Sequence, residues 1–197
     1  MERRHAIRIG AIILLVGIIL LGYPFLSRYL YKKKQIEQMI QYQEQQEEIQ
    51  ENPQSNTDKD SNISEDIRWF LEIPAIEESL PIYESTEEAD LRRGVGVLEG
   101  SDAPGKGEGH HCVICGHAGF AKASLFSNLR KLQIGDEFYL YLGKETLVYE
   151  VDQILIVKPE DQEALLPEDG KDYVTLLTCT PPGKNTHRLL VRGEKTK

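Results

Sequence analysis

The sequence has few of the residue types on which a disulfide-stapled or nucleic-acid-binding protein depends. Its 197 residues include three Cys, two Met and one Trp, and only 8% are aromatic. Because three is an odd number, the cysteines cannot all pair, so a complete disulfide framework is excluded. The net charge is −9, and no basic stripe is present. We therefore expect at least one free thiol and no nucleic-acid partner.

The longest segment without a charged residue, 9–27, lies near the N-terminus. It is about long enough to cross a ~30 Å hydrocarbon core as a helix. A cleavable signal peptide is the alternative, but the small-x-small pattern of a cleavage site is missing after the apolar stretch. We therefore predict a short tail at 1–8 and a transmembrane anchor at 9–30. Lys and Arg lie on both sides of the anchor, so their distribution leaves its orientation open.

Residues 31–66 are predicted to be a polar, acidic linker. From residue 35 onward this segment contains nine Asp or Glu against one Lys, and it is rich in Gln, Asn and Ser. Such a composition is typical of a solvated, flexible spacer. Its first residues have another possibility, because Ile36, Met39, Ile40 and Tyr42 have the spacing of a short amphipathic helix.

From residue 67 to 197 the pattern predicts one all-β domain. Short runs rich in β-branched and aromatic residues alternate with clusters of Pro, Gly and Asp, which favour turns. The runs are 67–73, 110–116, 136–142, 146–157, 172–179 and 187–193. Short strands at fairly regular spacing indicate a closed or partly closed β-barrel. Helical patterns are few and occur at 87–93 and 123–129.

Cys179 has surroundings that suit a nucleophile. It ends an apolar strand just before Thr180-Pro181-Pro182-Gly183, and because Pro cannot extend a central strand, the thiol lies where the chain turns. A reactive thiol needs an imidazole or a cation nearby, and acyl transfer needs a donor for the oxyanion. His117, between two glycines after a strand, and Arg188, nine residues after Cys179, are the candidates. On pattern alone, a histidine beside glycine is more often a surface or structural residue, and a cysteine at a strand end is more often packed than catalytic.

These motifs, in this order, resemble the sortase family, most of all its class C, the pilin-assembling branch. Segment 71–83, LEIPAIEESLPIY, is similar to the opening strands of the family, and 94–119, GVGVLEGSDAPGKGEGHHCVICGHAG, to its central stretch. Segments 124–140, SLFSNLRKLQIGDEFYL, and 172–193, DYVTLLTCTPPGKNTHRLLVRG, are similar in turn. The resemblance covers about residues 67–193.

The resemblance implies an eight-stranded sortase-type β-barrel with short helices, and a cysteine transpeptidase. Cys179 would be the nucleophile, His117 the acid/base, and Arg188 the residue that holds the substrate and the oxyanion. Thr178 and Asn185 are predicted substrate-binding residues, and no cofactor or metal is expected. The substrate would be an LPXTG-like sorting signal cleaved after Thr, and the acceptor a pilin lysine or a peptidoglycan precursor. The catalytic domain is expected on the outer side of the cell membrane.

Two further expectations concern the strand after Cys179. In addition, the sequence lacks two features that are usual in class C sortases. Arg192 is a rival cation that we expect to be solvated, and His187 should point away from Arg188 by strand alternation. Segment 35–66 contains no Asp-Pro-aromatic anchor of a class C lid, only Asn52-Pro53. No second hydrophobic segment lies between the last strand and Lys197.

Two other interpretations of the domain remain. One is a zinc site, because His110, His111, Cys112, Cys115 and His117 are dense in potential ligands and Cys112-x-x-Cys115 has zinc-ligand spacing. A second Cys/His pair is missing, however, and residues three apart on a strand face opposite sides. The other is a non-enzymatic, membrane-tethered β-domain that binds protein partners at the cell surface.

Overall fold

The computed structural model describes residues 67–119 and 125–196, together with helical residues 16, 17, 22, 30, 33, 35–42 and 44 further upstream. The contacts of the chain divide it into two units, Met1–Glu37 and Gln38–Lys197. The second unit contains the β-domain.

Eight strands form a closed barrel in the order β1-β2-β3-β4-β7-β8-β6-β5, and β5 pairs with β1 to close it. Two neighbouring pairs, β2–β3 and β4–β7, are parallel, and the other pairs are antiparallel. The strands are β1 Ile67–Ile73, β2 Glu78–Tyr83, β3 Val95–Val97, β4 His110–Cys115, β5 Glu137–Leu142, β6 Glu145–Val157, β7 Asp172–Thr180 and β8 His187–Lys195. The predicted eight-stranded, all-β barrel is confirmed.

The barrel interior is filled by apolar side chains that alternate along the strands, because successive residues of a strand point to opposite faces. In the parallel pair β4–β7, the registered partners Ile114 and Leu176 are each 0% exposed. Large buried rings complete the core, and Phe138 stacks on Tyr149 with 5.5 Å between ring centroids. The strands that carry the site residues are therefore held in place by their own buried side chains.

Within the described residues from 67 onward, the helices are short, as the sequence predicts. Residues 35–42 are helical, and we call this stretch α1; α2 is Glu88–Leu91. Three-residue 3₁₀ helices occur at Pro74–Ile76, Leu129–Lys131 and Glu163–Leu165. The predicted helix at 123–129 is wrong over its described part, where 125–128 form turns before the second 3₁₀ helix. The Ser127 hydroxyl bonds to the backbone of Gly119, and such side-chain bonds compete with helical ones.

The end of α1 packs against the barrel. Tyr42 is 2% exposed and forms a cluster with Ile67, Phe70 and Tyr83. Its hydroxyl donates to the Arg68 carbonyl oxygen at 2.9 Å and accepts from the Gly143 N–H at 2.8 Å. Residues 39–42 of the predicted linker are therefore part of the folded domain.

The predicted anchor, 9–30, lies outside the described residues apart from positions 16, 17, 22 and 30. Within the portion of the chain that is described, no helix has the length and apolar character needed to cross a membrane.

Candidate active site

His117 follows the end of β4 and is held there through the backbone on both sides. The Gly116 N–H donates to the Leu177 carbonyl oxygen of β7 at 3.1 Å, which extends the β4–β7 ladder past Cys115. The His117 carbonyl oxygen accepts from the Phe126 N–H at 2.9 Å. A Cβ on Gly116 would lie 2.7 Å from the Phe126 ring, so only glycine fits at this position. The imidazole that follows is 43% exposed.

Cys179 and His117 lie at the same level of neighbouring strands. The last registered pair of β4 and β7 is Cys115 with Leu177, and each site residue lies two positions beyond it. Along β7, Leu176 and Thr178 are buried whereas Leu177 and Cys179 are partly exposed, so the Cys179 thiol faces outward. The barrel thus brings the predicted nucleophile and the predicted base to one end of its outer face.

Arg188 is the registered partner of Cys179 across β7 and β8. Directly opposite residues of an antiparallel pair have side chains on the same face, so the guanidinium and the thiol lie on one side of the sheet. Arg188 Nη1 donates to the carbonyl oxygens of Asn185 and His187, both at 3.2 Å. The prediction that the connecting turn places Cys179 and Arg188 on neighbouring antiparallel strand ends is therefore confirmed.

The two predicted substrate-binding residues make contacts within the chain. Asn185 has φ of 55°, and its carbonyl oxygen is one of the acceptors for Arg188. Thr178 is 3% exposed, and its hydroxyl donates to the Gly116 carbonyl oxygen at 2.7 Å. This bond joins the strand of Cys179 to the turn of His117. Substrate binding by Thr178 and Asn185 stays a prediction.

Arg192 is not solvated, contrary to the expectation from sequence. Its side chain is 18% exposed, its Nε lies 3.1 Å from both Asp152 oxygens, and its guanidinium lies 4.0 Å above the Tyr173 ring. The hydrogen bond from Arg192 to Asp152 raises the pKa of the guanidinium further. Because its guanidinium is bound by Asp152 and Tyr173, Arg192 is not available to a substrate. Arg188 is therefore the cation beside Cys179.

The partner of His117 is a residue that sequence reasoning missed. His117 Nε2 lies 3.2 Å from Glu88 Oε2, and Glu88 Oε1 accepts from Arg92 Nε at 2.8 Å. The hydrogen bond from Arg92, and then the one from His117, lowers the pKa of Glu88. Glu88 belongs to α2 and precedes His117 by 29 positions, so no local spacing pattern connects the two.

Comparison with known proteins identifies the family. The family described as Sortase domain matches residues 71–196, a range that includes His117, Cys179 and Arg188. This chain belongs to the sortase family. Sortases are cysteine transpeptidases, so the chain is an enzyme of that class and not a non-enzymatic binding domain.

Relatives in sequence and in structure agree on the family. Sortase A of Bacillus anthracis is 30% identical over 98% of this chain and 96% of its own length. Among solved structures, sortase C1 of Streptococcus suis is 50% identical with a TM-score of 0.65, over 67% of this chain and 74% of that one. Sortase C of Streptococcus pneumoniae is 43% identical with a TM-score of 0.66, over 74% of this chain and 78% of that one. The class C neighbours match the resemblance predicted from the motifs.

The other two cysteines of this sortase have a different environment from Cys179. Cys112 is 3% exposed, and burial raises its thiol pKa. Burial, and then the neighbouring Cys179, raise the pKa of Cys115 to about 12, although Arg188 opposes the shift. Both thiols are therefore protonated at neutral pH and are poor nucleophiles.

The predicted ligands of a zinc site are separated. His111 is 2% exposed, and its ring nitrogens contact the Leu166 carbonyl oxygen at 3.1 Å and the Thr175 hydroxyl at 2.8 Å. His110 contacts Asp102 instead, at 3.3 Å. Among the residues that the structure describes, no three His, Cys, Asp or Glu side chains come together as a metal site.

Proposed function

We propose that this sortase cleaves an LPXTG-like sorting signal after Thr and transfers the new carboxyl end to an amine. Cys179 is the nucleophile, His117 the acid/base and Arg188 the oxyanion donor. The observation that carries the proposal is the strand register, in which Arg188 is directly opposite Cys179 and His117 stands level with it on the neighbouring strand.

The chemistry follows from these positions. The Cys179 thiolate attacks the carbonyl carbon of the Thr, and an Arg188 N–H stabilises the negative charge that develops on the oxygen. His117 donates a proton to the departing amine, and a thioester to Cys179 remains. An incoming amine then attacks the thioester, loses its proton to His117 and releases the thiolate. Splitting one acyl transfer in this way replaces a difficult step with two easier ones.

The proposed acceptor is the ε-amine of a pilin lysine or the amine of a peptidoglycan precursor. The class C structural neighbours favour the lysine, because sortase C of Streptococcus pneumoniae is described as having pilin substrate specificity. Both acceptors are found at the cell surface. We therefore propose that residues 9–30 anchor the chain in the cell membrane with the barrel on the outer side.

A peptide assay with the full chain in detergent micelles tests the reaction. The chain is incubated with a panel of LPXTG-type peptides and either a lysine-containing pilin peptide or a peptidoglycan stem peptide. We expect a thioacyl adduct on Cys179 by mass spectrometry, and amide products from at least one acceptor. Cys179→Ala and His117→Ala should abolish product, and Arg188→Ala should reduce the rate by roughly 10²–10³.

Two control variants show whether a lower rate is specific to the candidate site residues or follows from any loss of a histidine or an arginine. His110→Ala removes a histidine at the other end of β4, and Arg130→Ala removes an exposed arginine of the second 3₁₀ helix. Both should retain the wild-type rate. Absence of any Cys179 adduct across the whole peptide panel would contradict the proposed reaction.

A further inference from the structure

α2 presents the carboxylate of Glu88 to the imidazole of His117. Glu88 Oε2 lies 3.2 Å from His117 Nε2, whereas Oε1 is held by Arg92 Nε at 2.8 Å. Each carboxylate oxygen thus has one partner. The hydrogen bonds from Arg92 and from His117 lower the pKa of Glu88, so the group facing the ring is a carboxylate at neutral pH.

The position of α2 is fixed by contacts on either side of Glu88. The Ser85 hydroxyl donates to Asp90 Oδ2, and Arg93 Nη2 donates to Asp90 Oδ1 at 2.7 Å. A side chain on Gly96 of β3 would overlap the Ser85 carbonyl group, so the backbone before α2 lies directly against β3. β3 in turn pairs with β4, which ends at Cys115, two residues before His117, so α2 and the imidazole are both attached to this pair of strands.

We propose that Glu88 is a positioning residue that completes a Cys179–His117–Glu88 arrangement. In neutral imidazole one nitrogen carries the proton, and the hydrogen bond at one nitrogen decides which form is present. Because a carboxylate only accepts, Glu88 keeps the ring proton on Nε2. The lone pair is then on Nδ1, which takes the Cys179 proton and later passes it to the departing amine. The kinetic part of this inference rests on the proposed function.

An exposed ion pair adds little to stability, so the role of Glu88 should appear in the reaction and not in folding. In Glu88→Gln the rate of thioacyl formation, measured in single turnovers with the full chain in detergent micelles, should fall about tenfold. This tenfold loss is smaller than the ~10²–10⁴-fold rate enhancement that an acid/base residue itself supplies. The KM for the peptide should stay within twofold of the wild-type value. The urea midpoint of unfolding should equal that of the wild type within error. Glu87→Gln, the exposed neighbour, is the matched control and should react at the wild-type rate.

A second measurement does not depend on turnover. ¹⁵N NMR of histidine-labelled full chain, with His117 assigned from the His117→Gln spectrum, reports the tautomer of the neutral ring. We expect the Nε2–H form in the wild type and in Glu87→Gln, and a mixture of both forms in Glu88→Gln.

The two measurements distinguish failure of the positioning role from failure of the proposed function. A wild-type chain in the Nδ1–H form, or a Glu88→Gln variant that acylates within twofold of wild type or faster, overturns the positioning role and leaves the proposed function intact. A wild-type chain that forms no adduct contradicts the proposed function, and the NMR tautomer then decides by itself whether Glu88 orients the ring.

Discussion

The contact of Tyr42 with the barrel predicts that the domain needs residues upstream of its first strand. Tyr42 is 2% exposed, and its ring centroid lies 5.1 Å from that of Phe70. Its hydroxyl bridges the Arg68 carbonyl oxygen and the Gly143 N–H. Replacing Tyr42 by Phe removes only this bridge, whereas replacing it by Ala also removes the ring.

The structure gives the size of each effect. Tyr42→Phe removes two part-buried hydrogen bonds, each of which contributes about 0.5–1.5 kcal/mol. Tyr42→Ala adds the cavity left by the ring, so its total should approach the ~3–5 kcal/mol of buried aromatic truncations. Urea unfolding followed by the fluorescence of Trp69, the single tryptophan, measures both, because Trp69 is on β1 beside Arg68. Hydrogen exchange at the Gly143 amide should become faster in both variants.

Ile40→Ala is the matched control, because Ile40 belongs to the same helix but is 47% exposed. Its free energy of unfolding should stay within about 0.5 kcal/mol of wild type. If Tyr42→Ala were no more destabilising than Ile40→Ala, and Gly143 exchange were unchanged, the helix would not contribute to the domain and residues 31–66 would act as a plain linker.

Three other substitutions have defined outcomes. Gly116→Ala should destabilise the domain by about 1–3 kcal/mol in urea unfolding, because the new methyl group overlaps Phe126. Thr178→Val should cost about 1–3 kcal/mol and slow thioacyl formation, because the Gly116 carbonyl oxygen beside His117 loses its buried donor. His111→Gln concerns pH: burial lowers the pKa of His111 below 6.5, so the unfolded chain gains a proton first as pH falls. Wild-type stability should therefore decrease below about pH 6.5, by at most ~1.4 kcal/mol per pH unit, until the folded-state pKa is passed, and His111→Gln should lack this component.

The sequence was sufficient to locate the long strands and insufficient for the short ones. The predicted run 67–73 coincides with β1, and the runs at 172–179 and 187–193 differ from β7 and β8 only at their ends. β3 has three residues, Val95–Val97, which is too short for an alternating pattern to be recognised. Its position depends on pairing with Ile82 and Ile114, contacts that local pattern does not contain.

The candidate site was predictable where it depends on strand alternation and turn chemistry. The turn after Thr180 and the nine-residue spacing bring Cys179 opposite Arg188, and both features are visible in the sequence. Arg192 has the same parity as Arg188, so alternation alone could not separate them. The separation comes from Asp152 on β6, which is the hydrogen-bonded neighbour of β8, because Asp152 binds Arg192. The contacts of Glu88 with His117 and of Tyr42 with Gly143 are of the same kind, since each joins distant segments.

The three cysteines differ in their exposure, which the barrel determines and sequence spacing alone does not show. Cys112 and Cys115 form the more conspicuous motif, but they lie within β4, whose residues from His111 to Cys115 are all buried. Burial holds such thiols in the protonated form, whatever their spacing. Cys179 is at the end of its strand, is partly exposed, and is opposite an arginine. Of the three thiols, only that of Cys179 is both accessible and directly opposite an arginine, which is the arrangement that attack on a substrate carbonyl requires.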